Sequence, residues 1–455
     1  MALRSINPAT GELLETHSVQ TPEQAAAAVV KAHEAFGSWS RIALPERARV
    51  LRKAAGILNA EKNSLARLMS EEMGKPILQA IAEIDKCAIV CEHYAANGEA
   101  MLAPERIAAG AADSYVRFDP LGVILAVMPW NFPFWQVVRF AAPALMAGNV
   151  CLLKHASNVT GCAAAIEDIF RRSGLPLHVF TSLRVDSAQV GALIAHPLVR
   201  AVTLTGSDEA GRAVAAAAGR CLKKVVLELG GSDPFIVFAD APLSACVSAA
   251  VSSRMINNGQ SCIAAKRFIV VRDIYRRFQT AFTAAVAALK TGNPLDESND
   301  LGPLARADLV EELERQVEAS VRLGARILVG GGRHGRSPGF YFQPTVLENV
   351  KPGMPVYEEE VFGPVAALIA AEDEEDALRI ANDTAFGLGA SIWSADRARA
   401  EAIAARIEAG SVFINGMVKS DPRLPFGGIK MSGFGRELSS YGIKEFVNIK
   451  TVVIL

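Results

Sequence analysis

From Val123 onward the chain repeats one pattern, a short run of branched apolar residues followed by a helix. The runs fall at 123–127, 151–153, 178–180, 201–204 and 225–229. Runs that are apolar throughout, rather than alternating, belong to strands covered on both faces, and strands joined through helices lie parallel. A second series opens at Pro234-Phe235-Ile236-Val237-Phe238 and continues through strands at 267–271, 390–393 and 411–415. Helices are expected between them near 243–257, 273–289, 307–323 and 373–384. The expected fold class is therefore α/β, with two Rossmann-like parallel sheets. A chain of 455 residues is also too long for a single core.

The first hundred residues read as helical. Thr21-Pro22-Glu23-Gln24 has the form of a capping box with proline at the first helical position. Helices are expected from there to about Phe36, then over about 45–73 and 78–97, the second stopping at Gly74-Lys75-Pro76. Residues 114–118 alternate like an exposed strand, and the final stretch 446–455 alternates and then turns wholly apolar, as a strand that pairs with something does. The most membrane-like run, 121–138, contains Pro129, Asn131, Pro133 and Gln136, so it reads as strand, turn and helix. With 47 Lys plus Arg against 48 Asp plus Glu, nothing electrostatic favours nucleic acid. Seven cysteines show neither a disulfide framework nor metal-ligand spacing. Together with an N-terminus that lacks an apolar signal core, this leads us to expect a cytoplasmic protein without a metal site or membrane segment.

Five stretches carry chemistry. In Asn257-Asn258-Gly259-Gln260-Ser261-Cys262 a cysteine follows a polar, glycine-containing turn and precedes a strand. A nucleophilic thiol and a buried structural one read alike on that stretch alone. Met128-Pro129-Trp130-Asn131-Phe132-Pro133 leaves the carboxyl end of a strand with its turn stiffened by two prolines, so the Asn131 amide is either an oxyanion donor or a helix cap. Thr205-Gly206-Ser207 passes from strand to helix and can hold a pyrophosphate on the helix N-terminus, or be a plain turn. Glu228 lies between two leucines, where burial raises a carboxyl pKa; a general base or a structural ion pair both fit. Glu360 and Phe362 stand in Glu358-Glu359-Glu360-Val361-Phe362-Gly363-Pro364, which suits a ribose and a flat ring or a solvated turn.

Taken in order, these stretches resemble the aldehyde dehydrogenase superfamily, whose NAD(P)-dependent members oxidise aldehydes through a thioester. The resemblance runs from Asn7-Pro8-Ala9-Thr10-Gly11-Glu12 to Pro425-Phe426-Gly427-Gly428 and Ser432-Gly433-Phe434-Gly435-Arg436-Glu437, nearly the whole chain. It implies Cys262 as nucleophile, Asn131 with the Cys262 backbone N–H as oxyanion holder, and Glu228 as the base that activates water. It implies cofactor contacts from Trp130, Lys154, Gly206, Ser207, Leu229, Gly230, Glu360 and Phe362. It also implies a dinucleotide-binding domain over 1–100 and 121–230, a catalytic domain over 231–440, and an oligomerisation element from 101–120 and 441–455, building a homodimer or homotetramer. Many NAD-preferring members carry glutamate three residues after the position of Lys154; here that residue is Ser157. Serine removes a charge that repels a 2′-phosphate, so NADP is the expected cofactor, with NAD possible.

For the substrate, Arg139 lies four residues after Trp135 on the helix that follows Asn131, so the two share a face. An arginine among Val137, Val138, Phe140 and Ala141 is either in a salt bridge within the fold or a fork for the far carboxylate of a short semialdehyde. The resemblance places arginine here in the succinate semialdehyde subgroup, with Ser420 as a second carboxylate contact and Ser261 in the same pocket. Glutarate semialdehyde, an aliphatic aldehyde, acyl-phosphate reduction and a non-enzymatic binding role are the competing readings. The Leu-Glu-Leu-Gly-Gly setting of Glu228 argues against acyl-phosphate reduction, which needs no deacylating base.

Overall fold

The structure is a computed structural model that describes residues 2–110, 112–335 and 338–455; Met1, Ala111, Arg336 and Ser337 lie outside the described residues. Two sheets organise it. The first has the strand order Gly433–Phe434, Lys224–Glu228, Val199–Thr205, Val123–Met128, Val150–His155, Phe180–Ser182, parallel except for Gly433–Phe434. The second runs Arg326–Val329, Thr345–Glu348, Val365–Ala371, Arg267–Val271, Pro234–Val237, Gly389–Trp393, Ser411–Ile414, parallel except for Arg326–Val329. Each sheet has its own core. One gathers Ile124, Leu152 and Val202 with the N-terminal helices, and the other Phe235, Phe268, Phe278 and Phe282.

The reading of two parallel sheets holds, and several boundaries move for physical reasons. The capping box forms as expected, with Gln24 N donating to Thr21 Oγ1 at 3.3 Å and Thr21 N to Gln24 Oε1 at 2.9 Å. The chain opens not on a helix but on an antiparallel hairpin, Ala2–Ile6 with Leu13–Ser18, too short to show a period. The expected helix over 45–73 is two, Leu44–Ala60 and Lys62–Met73. Glu61 leaves helical dihedrals between them and pairs with Arg172 of the helix Thr160–Arg172. Strands Thr345–Glu348 and Val365–Ala371 are additional to those expected. They lie in a region whose glycines and prolines mask the pattern.

The chain also re-enters the first sheet before 440. Gly433 and Phe434 pair with Glu228 and Leu227, and Phe426 and Leu438 pack in the first core. This return places Glu437 beside the strand that carries Glu228. A third sheet joins Val447–Ile454 antiparallel to Asp113–Pro120, which also pairs with Glu105–Arg106. The terminal strand therefore finds a partner within its own chain. No helix among the described residues is long and apolar enough to cross a membrane.

Candidate active site

The strand order of the first sheet reverses between Val123–Met128 and Val199–Thr205, the two strands that begin the opposite halves of the sheet. Connections leave such a pair in opposite directions and open a crevice at the carboxyl ends. Pro129, Trp130 and Asn131 emerge from one strand there and Gly206 and Ser207 from the other, and all line a cavity of about 250 Å³. The second sheet meets this crevice with its amino ends: Cys262 precedes Arg267–Val271, and Glu360 and Phe362 precede Val365–Ala371. These three complete the wall together with Leu229 and Gly230. A second cavity, of about 470 Å³, is lined by Trp135, Arg139, Ser261 and Ser420 among others. Cys262 and Gln136 line both, so the sulfur stands where the two cavities adjoin.

The turn before Cys262 explains its unusual sequence. Asn257, Asn258 and Gly259 have φ of 53°, 59° and 76°, three successive left-handed residues. Asparagine is the side chain that tolerates this best, because it can hydrogen-bond locally. Asn257 Nδ2 donates to Asn131 O at 2.7 Å and Gln260 O at 3.0 Å. Asn258 Nδ2 donates to Gly74 O and Pro303 O at 2.9 and 2.8 Å. At Gly259 a Cβ would lie 2.2 Å from the Gly363 backbone, so only glycine fits. Lys266, fully buried, donates from Nζ to Ser261 O at 2.9 Å and Cys262 O at 2.6 Å, fixing the loop from below.

Asn131 is held from both sides: its Nδ2 donates to Gln260 O at 3.1 Å and its Oδ1 accepts from Gln136 Nε2 at 3.2 Å. The turn that carries it is anchored by Glu83. That carboxylate accepts from Phe134 N and Trp135 N at 3.0 and 2.9 Å and is paired with the buried Lys75. Lys75 in turn stands 3.8 Å from the Phe132 ring centroid. The asparagine does not cap the helix Trp135–Ala147; Glu83 takes the helix-opening N–H groups, and Asn131 lines the smaller cavity together with Cys262.

Burial pushes the Cys262 thiol up to about 12, with Lys266 and Arg139 pulling down and Glu360 and Asp233 pushing up. The neutral thiol is therefore the favoured form in this resting state. Glu228 is buried, and neither of its carboxyl oxygens has a hydrogen-bond partner among the described residues. Burial, then the neighbouring Glu437, raises its pKa well above the carboxylate range, against the pull of Arg139 and Arg436. Its side chain lies towards Gly427, where a Cβ would come within 2.7 Å of Oε1, and it lines neither cavity.

The cofactor candidates divide. Trp130 and Phe362 meet edge to face at 5.8 Å on the wall of the smaller cavity. Glu360 accepts from Gly231 N at 2.9 Å and lies 3.6 Å from Lys266 Nζ. Ser207 caps the helix Asp208–Arg220, accepting from Ala210 N at 3.3 Å. Lys154 and exposed Ser157 stand outside this cavity, at the carboxyl end of the adjacent strand Val150–His155. Burial lowers the Lys154 pKa, opposed by Asp186. These groups fit a dinucleotide laid along the strand ends: a helix N-terminus for phosphate, a carboxylate for ribose hydroxyls, an aromatic edge for a flat ring. His155 is a packing residue, with Nε2 2.9 Å from Pro133 O and its pKa lowered to about 4 by burial.

Arg139 lines the larger cavity, but its guanidinium is committed. It pairs with Glu437, approaches Thr205 Oγ1 at 3.5 Å and stands 4.8 Å over Phe426. The salt bridge within the fold, not the free fork, is what the geometry presents, because the return of the chain at 433–437 brings the Glu437 carboxylate to the guanidinium. Glu83, Gln136, Lys266 and Lys86 are the site residues that sequence reasoning missed. Nothing in the local sequence sets Glu83 apart from the neighbouring Asp85 and Lys86, or Lys266 from Arg267 beside it.

The family model described as the aldehyde dehydrogenase family matches residues 1–452. A probable succinate-semialdehyde dehydrogenase [NADP(+)] of Synechocystis is 51% identical over 454 residues, covering 100% of both chains. A succinate semialdehyde dehydrogenase [NAD(P)+] of Escherichia coli is 50% identical, covering 98% of this chain and 97% of its own. The crystal structure of succinic semialdehyde dehydrogenase from Streptococcus pyogenes, in complex with NADP+ as the cofactor, superposes with a TM-score of 0.97 at 37% identity, each chain covered in full. With a cysteine and an amide facing one crevice of a parallel-sheet switch point, and the likeness running from end to end, the chain belongs to the aldehyde dehydrogenase family.

Proposed function

We propose that this enzyme oxidises succinate semialdehyde to succinate with NADP as hydride acceptor, NAD serving less well. The observation that carries the reading is Cys262 at the junction of two cavities, one at the switch-point crevice and one lined by cationic side chains. The names of the full-length relatives select the aldehyde and the cofactor. The Cys262 sulfur attacks the aldehyde carbon: a C–S bond forms as the carbonyl π pair moves onto oxygen, and the thiol proton passes to solvent water. The carbonyl oxygen becomes an oxyanion held by the Asn131 amide and the Cys262 backbone N–H. A bound nicotinamide supplies the two-electron acceptor that converts this thiohemiacetal into a thioester. Glu228 turns from Gly427 towards the sulfur and takes a proton from water, the water oxygen bonds to the thioester carbon, and the C–S bond breaks to release the carboxylic acid product and the Cys262 thiolate. Lys154 and Glu360 hold the two riboses, Gly206, Ser207, Leu229 and Gly230 pass along the pyrophosphate, and Trp130 and Phe362 line the ring. Copies pair through the sheet of Asp113–Pro120 and Val447–Ile454, whose Ile449, Val453 and Ile454 are exposed.

The test is a side-by-side rate measurement with two cofactors and two aldehydes, succinate semialdehyde and butanal. Succinate semialdehyde with NADP is expected to give the highest kcat/KM; a preference for butanal removes the substrate assignment. Ser157→Glu is expected to lower kcat/KM with NADP by about tenfold or more while sparing NAD, since a carboxylate beside a 2′-phosphate trades a donor for a like charge. An unchanged cofactor ratio removes Ser157 from the adenosine ribose site.

A further inference from the structure

With Arg139 engaged by Glu437, the larger cavity contains another cation. Lys86, on the helix Ile77–Met101, lines it together with Cys262. Its Nζ donates to Ser420 Oγ at 2.6 Å and stands 4.2 Å from the Trp135 ring centroid. Both of those partners are neutral. Among the described residues no carboxylate lies within ion-pair distance of Lys86, whereas each nearby acid is satisfied elsewhere. Glu83 is paired with Lys75 and takes two backbone N–H groups, and Asp421 is clasped by Arg423 at 2.6 and 2.8 Å. Asp300 and Lys419 also line the cavity but are exposed. A half-buried ammonium with only neutral partners is an incomplete ion pair. A carboxylate entering the cavity would complete it without displacing any existing partner, since an ammonium has three donors.

We infer that Lys86, with the Ser420 hydroxyl it holds and the Trp135 ring beneath it, is the anchor for the distal carboxylate of the substrate, and that Arg139 is a wall of the pocket fixed by Glu437. The inference rests on the proposed semialdehyde substrate and names the residue that recognises it. Burial, and then the Arg139 charge, lower the Lys86 pKa to about 8, so the group is an ammonium at neutral pH and lies near a second positive charge that an entering anion relieves. Ser420, placed by sequence reasoning beside the carboxylate, keeps that place through its bond to Lys86. The Trp135 face keeps the ammonium dry on one side, which strengthens its hold on an anion.

The test compares the ratio of kcat/KM for succinate semialdehyde to that for butanal in the unsubstituted enzyme, Lys86→Met and Lys86→Arg, with NADP saturating. A ratio within one preparation does not depend on the fraction correctly folded. Lys86→Met is expected to lower the ratio about tenfold or more, chiefly through KM for the semialdehyde, with Lys86→Arg recovering part of it. A Lys86→Met enzyme whose ratio stays at the unsubstituted value, or whose activity falls alike on both aldehydes, complete loss included, overturns the anchor. A ratio near one in the unsubstituted enzyme instead overturns the substrate reading on which the anchor rests, so the two failures are told apart before any substitution is made.

Discussion

Cys262→Ala is expected to abolish aldehyde oxidation, lowering kcat by at least about four orders of magnitude, while cofactor binding survives. The loss follows from position. Cys262 lines both cavities, and no other cysteine lines either. Cys87, Cys91, Cys151, Cys162 and Cys246 are buried, and burial holds each thiol above its ordinary pKa. None can stand in. Ser261, next in the chain, faces the larger cavity, and its hydroxyl has no hydrogen-bond partner among the described residues, so nothing there activates it as a nucleophile. The groups proposed to hold the cofactor belong to other segments, and the loop that carries the sulfur is fixed by Asn257, Asn258 and Lys266 rather than by the thiol. Titration of NADPH fluorescence against the variant, beside a turnover assay, separates the two effects. Turnover that survives the substitution rules out a covalent route through this sulfur.

The parallel sheets were legible because they rest on a local signal: apolar runs spaced by helices must pair in parallel and be covered on both faces. The crevice followed, since Trp130, Asn131, Gly206 and Ser207 sit where strands end, and strand ends can be read from composition. The environment of Arg139 was not legible. Its partner Glu437 is nearly three hundred positions away along the chain and arrives only because Gly433–Phe434 adds a strand antiparallel to Lys224–Glu228. A two-residue strand has no period to detect. Lys86 was missed for the opposite reason. A lysine on a long amphipathic helix is ordinarily a solvated residue, and only the approach of Ser420 and Trp135 from other segments gives it a dry, anion-seeking face. Glu228 lay between: its burial followed from the flanking leucines, but its orientation towards Gly427 is a tertiary fact.

That orientation gives the second large effect. Glu228→Gln is expected to lower steady-state turnover by about 10²–10⁴ while leaving a rapid burst of about one NADPH per active site. Where it rests, the carboxyl is buried, faces Glu437 and has no hydrogen-bond donor among the described residues, which raises its pKa and favours the neutral form. As a base it has to leave that position. Turning towards Cys262 takes it away from Glu437, one of the two causes that raise its pKa. The Leu229 and Gly230 backbone already lines the cavity it enters. Glutamine retains the shape and cannot take the proton, so water attacks the thioester unassisted and the acyl group stays on Cys262, visible as added mass on the intact protein after quenching. In the unsubstituted enzyme the deacylation rate should fall as pH drops, because the base is lost to protonation, and that limb should vanish in the variant. A variant with no burst and no retained acyl mass would place Glu228 at the attack of the thiol instead of the release of the product.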